Sequence, residues 1–239
     1  MKTTAWPGTS VSGRVAIVSD AHLGDRGGDG AELHEQLSEL TRDNCGLVLF
    51  MGDLFHIWVG DPRFETAEIR AFLPVLSDLR SRGVPSVYVE GNRDFFLAHG
   101  PYAELFDRVA LEVNFEHGGT SYLAVHGDGI NDRDWRYLFW RRLSKNRLSH
   151  LASRVVPGSV GRRLVTSTEE QLAKTNFEHK KRLPAEAIQL YGEKRLARGH
   201  DVLLMGHFHV SCRYDVPSGE VRLLDAWYNS RRLEWLEVG

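Results

Sequence analysis

The chain has 239 residues, 42% of them apolar and 26% charged, with a formal net charge of −2. That is the composition of a globular domain able to bury a large core, and its near-neutral balance argues against bulk nucleic-acid binding. No apolar stretch reaches the ~20 residues a membrane helix needs, and the segment before Arg14 lacks the apolar core of a signal peptide. The two cysteines, Cys45 and Cys212, are in no metal-type spacing and are expected as buried thiols in a reducing, cytoplasmic compartment.

Taken in order, Arg14 to Ser19 is a β-rich run ending on Asp20, and Gly24 to Gly30 is a loop. Ala31 to Thr41 has helical spacing with Leu33, Leu37 and Leu40 on one face. The run Leu47 to Met51 reads as a buried parallel strand delivering Gly52-Asp53 to the sheet edge. Thr66 to Arg82 is a second helix, stopped at Gly83, and Val84 to Val89 a third strand ending at Glu90-Gly91-Asn92. This β-α-β-α-β order predicts a parallel sheet. Val109 to Phe115 and Thr120 to Val125 alternate across His117-Gly118-Gly119 as a hairpin ending on His126. Residues 131–199 are largely helical and unlike the rest. Asp201 to Met205 is a buried strand ending at Gly206-His207, and Cys212 to Val216, Val221 to Ala226 and Leu233 to Val238 are alternating strands. The expected fold is α/β: one domain over 1–239, a two-layer β-sheet sandwich flanked by helices, carrying a helical insertion over 131–199.

Five strand ends stop on similar chemistry and collect Asp20, His22, Asp53, Asn92, His126, His207 and His209. Singly, an Asp after Gly is commonly a turn or helix cap, and a lone His is commonly structural. Five such segments, each directly behind an apolar strand, point instead to one shared site. The donors are nitrogen and oxygen without thiolate, which suits manganese, iron, zinc or cobalt. Seven ligands exceed one tetrahedral ion and suit two ions if a carboxylate bridges; such a pair can clamp a phosphoryl group. The backbone is expected to turn after Asp20, and His207 and His209 to serve different ions.

Asp20-x-His22, Gly52-Asp53, Gly91-Asn92-Arg93-Asp94, His126 and Gly206-His207-x-His209 resemble the ordered signature of calcineurin-like metallophosphoesterases. The resemblance implies that Asp20, His22, Asp53 and His209 hold one divalent ion and Asp53, Asn92, His126 and His207 the other, with Asp53 bridging and manganese the leading metal. It also implies catalytic roles for Asn92, Arg93, Asp94 and His126. Many members carry His after the Asn, as general acid. Arg93 stands there in this chain; it keeps its proton and can bind phosphate bidentately, and Asp94 would orient a ligand or partner Arg93.

The wider context, Gly52-Asp53-Leu54-Phe55-x-x-Trp58-x-Gly60-Asp61 and His126-Gly127-Asp128 with Asp134, Tyr137 and Arg141 after it, is similar to the UDP-2,3-diacylglucosamine hydrolases of lipid A biosynthesis. That similarity implies hydroxide attack on the uridine-side phosphate, releasing UMP and 2,3-diacylglucosamine 1-phosphate, with Arg93, Asp134, Tyr137 and Arg141 binding substrate. The alternative is a metal-dependent phosphodiesterase or pyrophosphatase of a soluble nucleotide. His56 and Pro62 depart from the acidic residues usual at those places, and His56, three residues from Asp53, is a candidate phosphate contact.

Arg133 to Arg163 holds nine Arg/Lys and one acid, interleaved with apolar residues at roughly helical spacing. It reads as a basic amphipathic cap that meets an anionic lipid or the membrane interface, for which the resemblance implies peripheral contact with the inner membrane and a lipid-linked nucleotide; a solvated helix pair is the plainer reading, and a nucleic-acid groove a minority one. Glu169 to Lys194 reads as ordinary exposed helix. The remaining histidines are read as structural, and Trp227-Tyr228-Asn229 as edge packing or a neighbour of the nucleotide.

Overall fold

The computed structural model describes residues 5–24, 29–130 and 183–237. The four most apolar runs form short strands buried along their whole length: β2 (Val15–Val18), β3 (Leu47–Phe50), β5 (Ser86–Val89) and β10 (Val202–Met205). Such strands are apolar throughout because both of their faces are covered. The other strands are β1 (Ala5–Val11), β4 (Trp58–Val59), β6 (Asp94–Phe95), β7 (Arg108–Ala110), β8 (Glu112–His117), β9 (Thr120–Val125), β11 (Cys212–Val216), β12 (Gly219–Leu223) and β13 (Glu234–Leu236).

One sheet runs β13-β2-β3-β5-β7, parallel except for β13, and a second runs β1-β8-β9-β10-β12-β11. A small parallel pair, β4 with β6, closes over the end of the first. The β8–β9 hairpin turns through Gly118 and Gly119, both at positive φ (57° and 77°), the conformation that a tight two-residue hairpin turn requires and glycine adopts without steric cost.

The two sheets pack face to face, with Val15, Ile17, Leu47, Leu49 and Met51 meeting Val113, Phe115, Ala124 and Leu204. The alternate residues of the first sheet, among them Ala16, Val18, Val48 and Phe50, face outward onto α1 (Asp29–Ser38) and α2 (Ala67–Ser81). Thr66 caps α2 by accepting the Ile69 N–H at 3.3 Å, and Gly83, at φ 70°, ends it. On the far side α3 (Ala185–Leu196) lays Ile188 and Leu196 against Leu203, Met205 and Val221. Helices therefore cover both outer faces of a sheet sandwich, as the sequence pattern implies.

Three local expectations change. An N-terminal strand, β1, pairs with β8. The run Val109 to Phe115 is two strands, one in each sheet, divided at Leu111. The exposed helix read over Glu169 to Lys194 is described only from residue 183, where α3 packs one face into the core. Cys45 is buried as expected, whereas Cys212 is half-buried on β11. The basic stretch 133–163, with Asp134, Tyr137 and Arg141, lies outside the described residues, as does 169–182. Among the described residues no helix is long and apolar enough to cross a membrane.

Candidate metal centre

The C-terminal ends of β2, β3 and β5 lie side by side in one sheet, those of β9 and β10 in the other. Each releases one of the five segments at the same edge, the usual location of sites in parallel sheets. The backbone there is unusual. Among the described residues seven non-glycine positions have positive φ, and five of them are Asp20 (48°), His22 (46°), Asp53 (54°), His207 (66°) and His209 (55°). Left-handed backbone costs an L-residue of order 1 kcal/mol, least for Asp, Asn and His. Such strain persists where the surroundings enforce it, typically at functional sites. It is also the predicted turn after Asp20.

The donor atoms converge in two groups. His209 Nε2 lies 3.2 Å from Asp20 Oδ1 and 3.3 Å from His22 Nε2. Asp20, His22 and His209 each offer an atom within 4.8 Å of the others, and so do Asp20, Asp53 and His126. Asn92 Oδ1 lies 3.0 Å from both His126 Nε2 and His207 Nδ1. All seven residues read from the sequence as metal ligands are thus brought together at one edge.

The second group calls for a cation. His126 Nδ1 donates to the Met51 carbonyl at 2.8 Å, which fixes the ring so that Nε2 faces Asn92 Oδ1 and, at 3.6 Å, Asp53 Oδ2. A neutral imidazole would aim a lone pair at two acceptors. A proton or a metal ion placed there satisfies both acceptors at once. Burial pushes the His126 pKa down, but the Asp53, Asp20 and Asp128 carboxylates more than offset it and raise it to about 9. Burial drives His22 and His207 the other way, each to about 4, with the His126 charge adding to the effect on His207 and carboxylates opposing it. Burial would raise Asp20, but the surrounding histidines hold its carboxyl well below the usual range. Unprotonated rings at His22 and His207, an ionised Asp20 and an acceptor cluster around His126 form a donor set that fits divalent ions.

Support comes from directly behind. Ser19 Oγ donates to Asp20 Oδ2 at 2.5 Å, and the His207 N–H to the same oxygen at 2.9 Å, leaving Oδ1 toward His209. The Arg93 N–H donates to Asp53 Oδ1 at 2.8 Å. Gly206 is required by close approach: a Cβ there would meet Ser19 Oγ at 2.5 Å and Asp20 Oδ2 at 2.6 Å. Asp94, read from the sequence among the catalytic residues as one that would orient a ligand or partner Arg93, lies behind Asp53. It is fully buried, and its carboxylate accepts the Gly91 N–H at 2.7 Å, the Asp53 N–H at 3.0 Å and the Tyr88 hydroxyl at 3.0 Å. It therefore acts through Asp53 and the Asn92 loop, as a positioning residue. Arg93 and His56 are half-buried on the segments that follow β5 and β3. Ser19 and Tyr88 escaped the sequence reading as site residues, because long-range hydrogen bonds leave no periodic signal; the turn Trp227-Tyr228-Asn229, read as edge packing or a neighbour of the nucleotide, lies against the backbone of Ser19 and Asp20.

The family model for calcineurin-like phosphoesterases matches residues 13–211. Among curated proteins, the UDP-2,3-diacylglucosamine hydrolase of Pseudomonas entomophila is 27% identical over 203 residues, which is 82% of this chain and 81% of that protein. The UDP-2,3-diacylglucosamine hydrolase of Photobacterium profundum is 24% identical over 229 residues, 89% of each. Among solved structures, a single-mutant Vps29 from Entamoeba histolytica aligns over 95% of this chain and 86% of its own, with a TM-score of 0.47 and 12% identity.

Proposed function

The chain belongs to the calcineurin-like phosphoesterase family, and on that premise we propose that this hydrolase cleaves the diphosphate of UDP-2,3-diacylglucosamine to UMP and 2,3-diacylglucosamine 1-phosphate, using two divalent ions. The family supplies the phosphoesterase chemistry; the substrate is the one named for curated relatives that align over four-fifths or more of the chain. The observation that carries the proposal is the acceptor cluster of Asp53, Asn92 and His126 beside the Asp20–His22–His209 group.

In this reading Asp20, His22, Asp53 and His209 would hold one ion and Asp53, Asn92, His126 and His207 the other. Bound there, two ions draw charge from phosphoryl oxygens and lower the pKa of water. We favour manganese, from the mixed nitrogen and oxygen donors. The chain's own residues do the rest. Arg93 keeps its proton, so it offers a fixed fork to two oxygens of the diphosphate instead of acting as general acid. Its backbone N–H meanwhile holds Asp53, so one residue links substrate to ligand geometry. Asn92 turns its amide oxygen toward both His126 and His207. Asp94 holds the Asp53 and Gly91 amides, keeping Asp53 in its strained conformation.

The test is UMP release from UDP-2,3-diacylglucosamine by metal-stripped protein with and without added Mn²⁺. Metal-dependent release of UMP is the expected result. Turnover of UDP-glucose or cyclic nucleotides in its place would sink the lipid substrate while leaving the phosphoesterase chemistry intact.

A further inference from the structure

The helical turn Trp227–Ser230, which follows β12, lies against the strained backbone of the first ligand group. The Trp227 N–H donates to the Ser19 carbonyl at 2.7 Å and the Tyr228 N–H to the Asp20 carbonyl at 3.4 Å. Asn229 Nδ2 donates to the His209 carbonyl at 3.2 Å and to Asp225 Oδ1 at 3.3 Å. Of the three residues whose carbonyls are held, Asp20 and His209 are left-handed. Trp227 is buried in the core, and the space beside it is open. A cavity of about 180 Å³ lies there, lined in part by Ile17, Ser19, Asp225, Trp227, Ser230 and Glu234.

Besides the burial of Trp227, α1 fixes the turn from outside, chiefly through one side chain. Gln36 Oε1 accepts the Trp227 indole N–H at 3.0 Å, and Gln36 Nε2 donates to the Arg231 carbonyl at 2.8 Å, so a single amide grips both ends. Arg231, itself left-handed at φ 55°, lays its guanidinium over the Trp227 ring at 4.8 Å and lies 3.5 Å from Glu32 on the same helix. Most of the second ligand group rests on different supports, His126 on the Met51 carbonyl and the Asn92 loop on Asp94, while the His207 N–H shares Asp20 Oδ2 with Ser19.

We propose that Gln36 and Asn229 are positioning residues that set the affinity of one ion position, the one built on Asp20, His22 and His209, more than that of the other. This rests on the two-ion reading above. Gln36 touches neither ligand nor substrate position; it acts by keeping the turn seated, and the turn keeps the Asp20 and His209 carbonyls, and with them their side chains, in place. A ligand set held about 0.5 Å from its best geometry binds its ion measurably less well.

The experiment is titration of metal-stripped protein with Mn²⁺, following stoichiometry and the affinity of each step by calorimetry, with the paired-manganese resonance signal as a second readout. Wild-type protein is expected to take two ions. Gln36→Met keeps the volume and removes both hydrogen bonds, and Asn229→Ala removes an exposed side chain that the core does not need. Each is expected to weaken one of the two steps by roughly tenfold, the equivalent of about 1.4 kcal/mol, to leave the other within about twofold, and to lose paired signal at low Mn²⁺ that excess Mn²⁺ restores. If wild-type protein takes only one ion, the two-ion reading fails and this proposal with it. If it takes two and neither variant changes either step, or both steps weaken equally, the positioning role alone is overturned. Should Gln36→Met not fold, Asn229→Ala decides the matter by itself.

Discussion

Asp94→Asn separates a residue that does chemistry from one that holds others in place. The native carboxylate takes three hydrogen bonds while fully buried, from the Gly91 and Asp53 amides and the Tyr88 hydroxyl. Bonds to a buried charge contribute ~1.5–3 kcal/mol each. An asparagine keeps one oxygen but must turn its NH₂ toward at least one of these donors, so at least one bond is lost and one donor is left facing another. The expected cost is about 3 kcal/mol, a large share of a typical domain's stability. Urea unfolding of the metal-free protein should show it as a midpoint lowered by about 1 M. Tyr88→Phe removes the hydroxyl that donates to Asp94 and accepts from the Leu54 N–H, so the double variant should be clearly less destabilised than the sum of the single ones. Turnover should fall with metal affinity, because Asp53 loses its backbone anchor. If Asp94→Asn unfolds at the wild-type midpoint and binds metal normally yet does not turn over, the positioning argument is wrong and Asp94 takes part in the reaction.

Other outcomes follow from the same geometry. Arg93→Ala should lower turnover while leaving metal content near wild type, since the bond to Asp53 comes from the Arg93 backbone; loss of bound metal, measured by elemental analysis, would show a structural role instead. Asp53→Ala should abolish turnover and reduce metal loading, and retained activity would refute its bridging position. Gly206→Ala would drive a methyl into Ser19 and Asp20, so metal uptake should drop with little change at sites remote from that edge. The metal-free protein should be most stable near pH 6.5. His22 and His207 are basic groups with pKa values lowered to about 4, so the unfolded chain gains protons first and stability falls as pH drops from about 6.5 to 4. His126, raised to about 9, contributes stability that is complete below about 6.5 and is lost as pH climbs toward 9. Each effect is of order 3 kcal/mol. Thermal melts that are flat from pH 5 to 8 would contradict these assignments, and saturating Mn²⁺ should flatten the upper limb by replacing the His126 proton.

The site was legible because of a coincidence of two physical facts. Strands buried on both faces are apolar along their length, so the first polar residue after Phe50 or Met205 stands out. And Asp and His, the residue types that ligate hard and borderline ions, are among those that tolerate the left-handed backbone found at Asp20, His22, Asp53, His207 and His209. What stayed hidden needed distance in space rather than pattern in sequence. Gly91-Asn92-Arg93-Asp94 shows that three polar residues are adjacent; it cannot show that Asp94 turns inward onto Tyr88 while Arg93 stays half-buried at the surface. The break at Leu111 between β7 and β8 is invisible for a similar reason, since the same alternation runs through both strands although they enter different sheets. Gln36 is the extreme case. It is an ordinary polar residue of an amphipathic helix, nearly two hundred positions from the turn it grips. If left-handed ligands are strained, some part of the fold must oppose their relaxation, and the part that does so for Asp20 and His209 is the last turn of the chain, secured by the first helix.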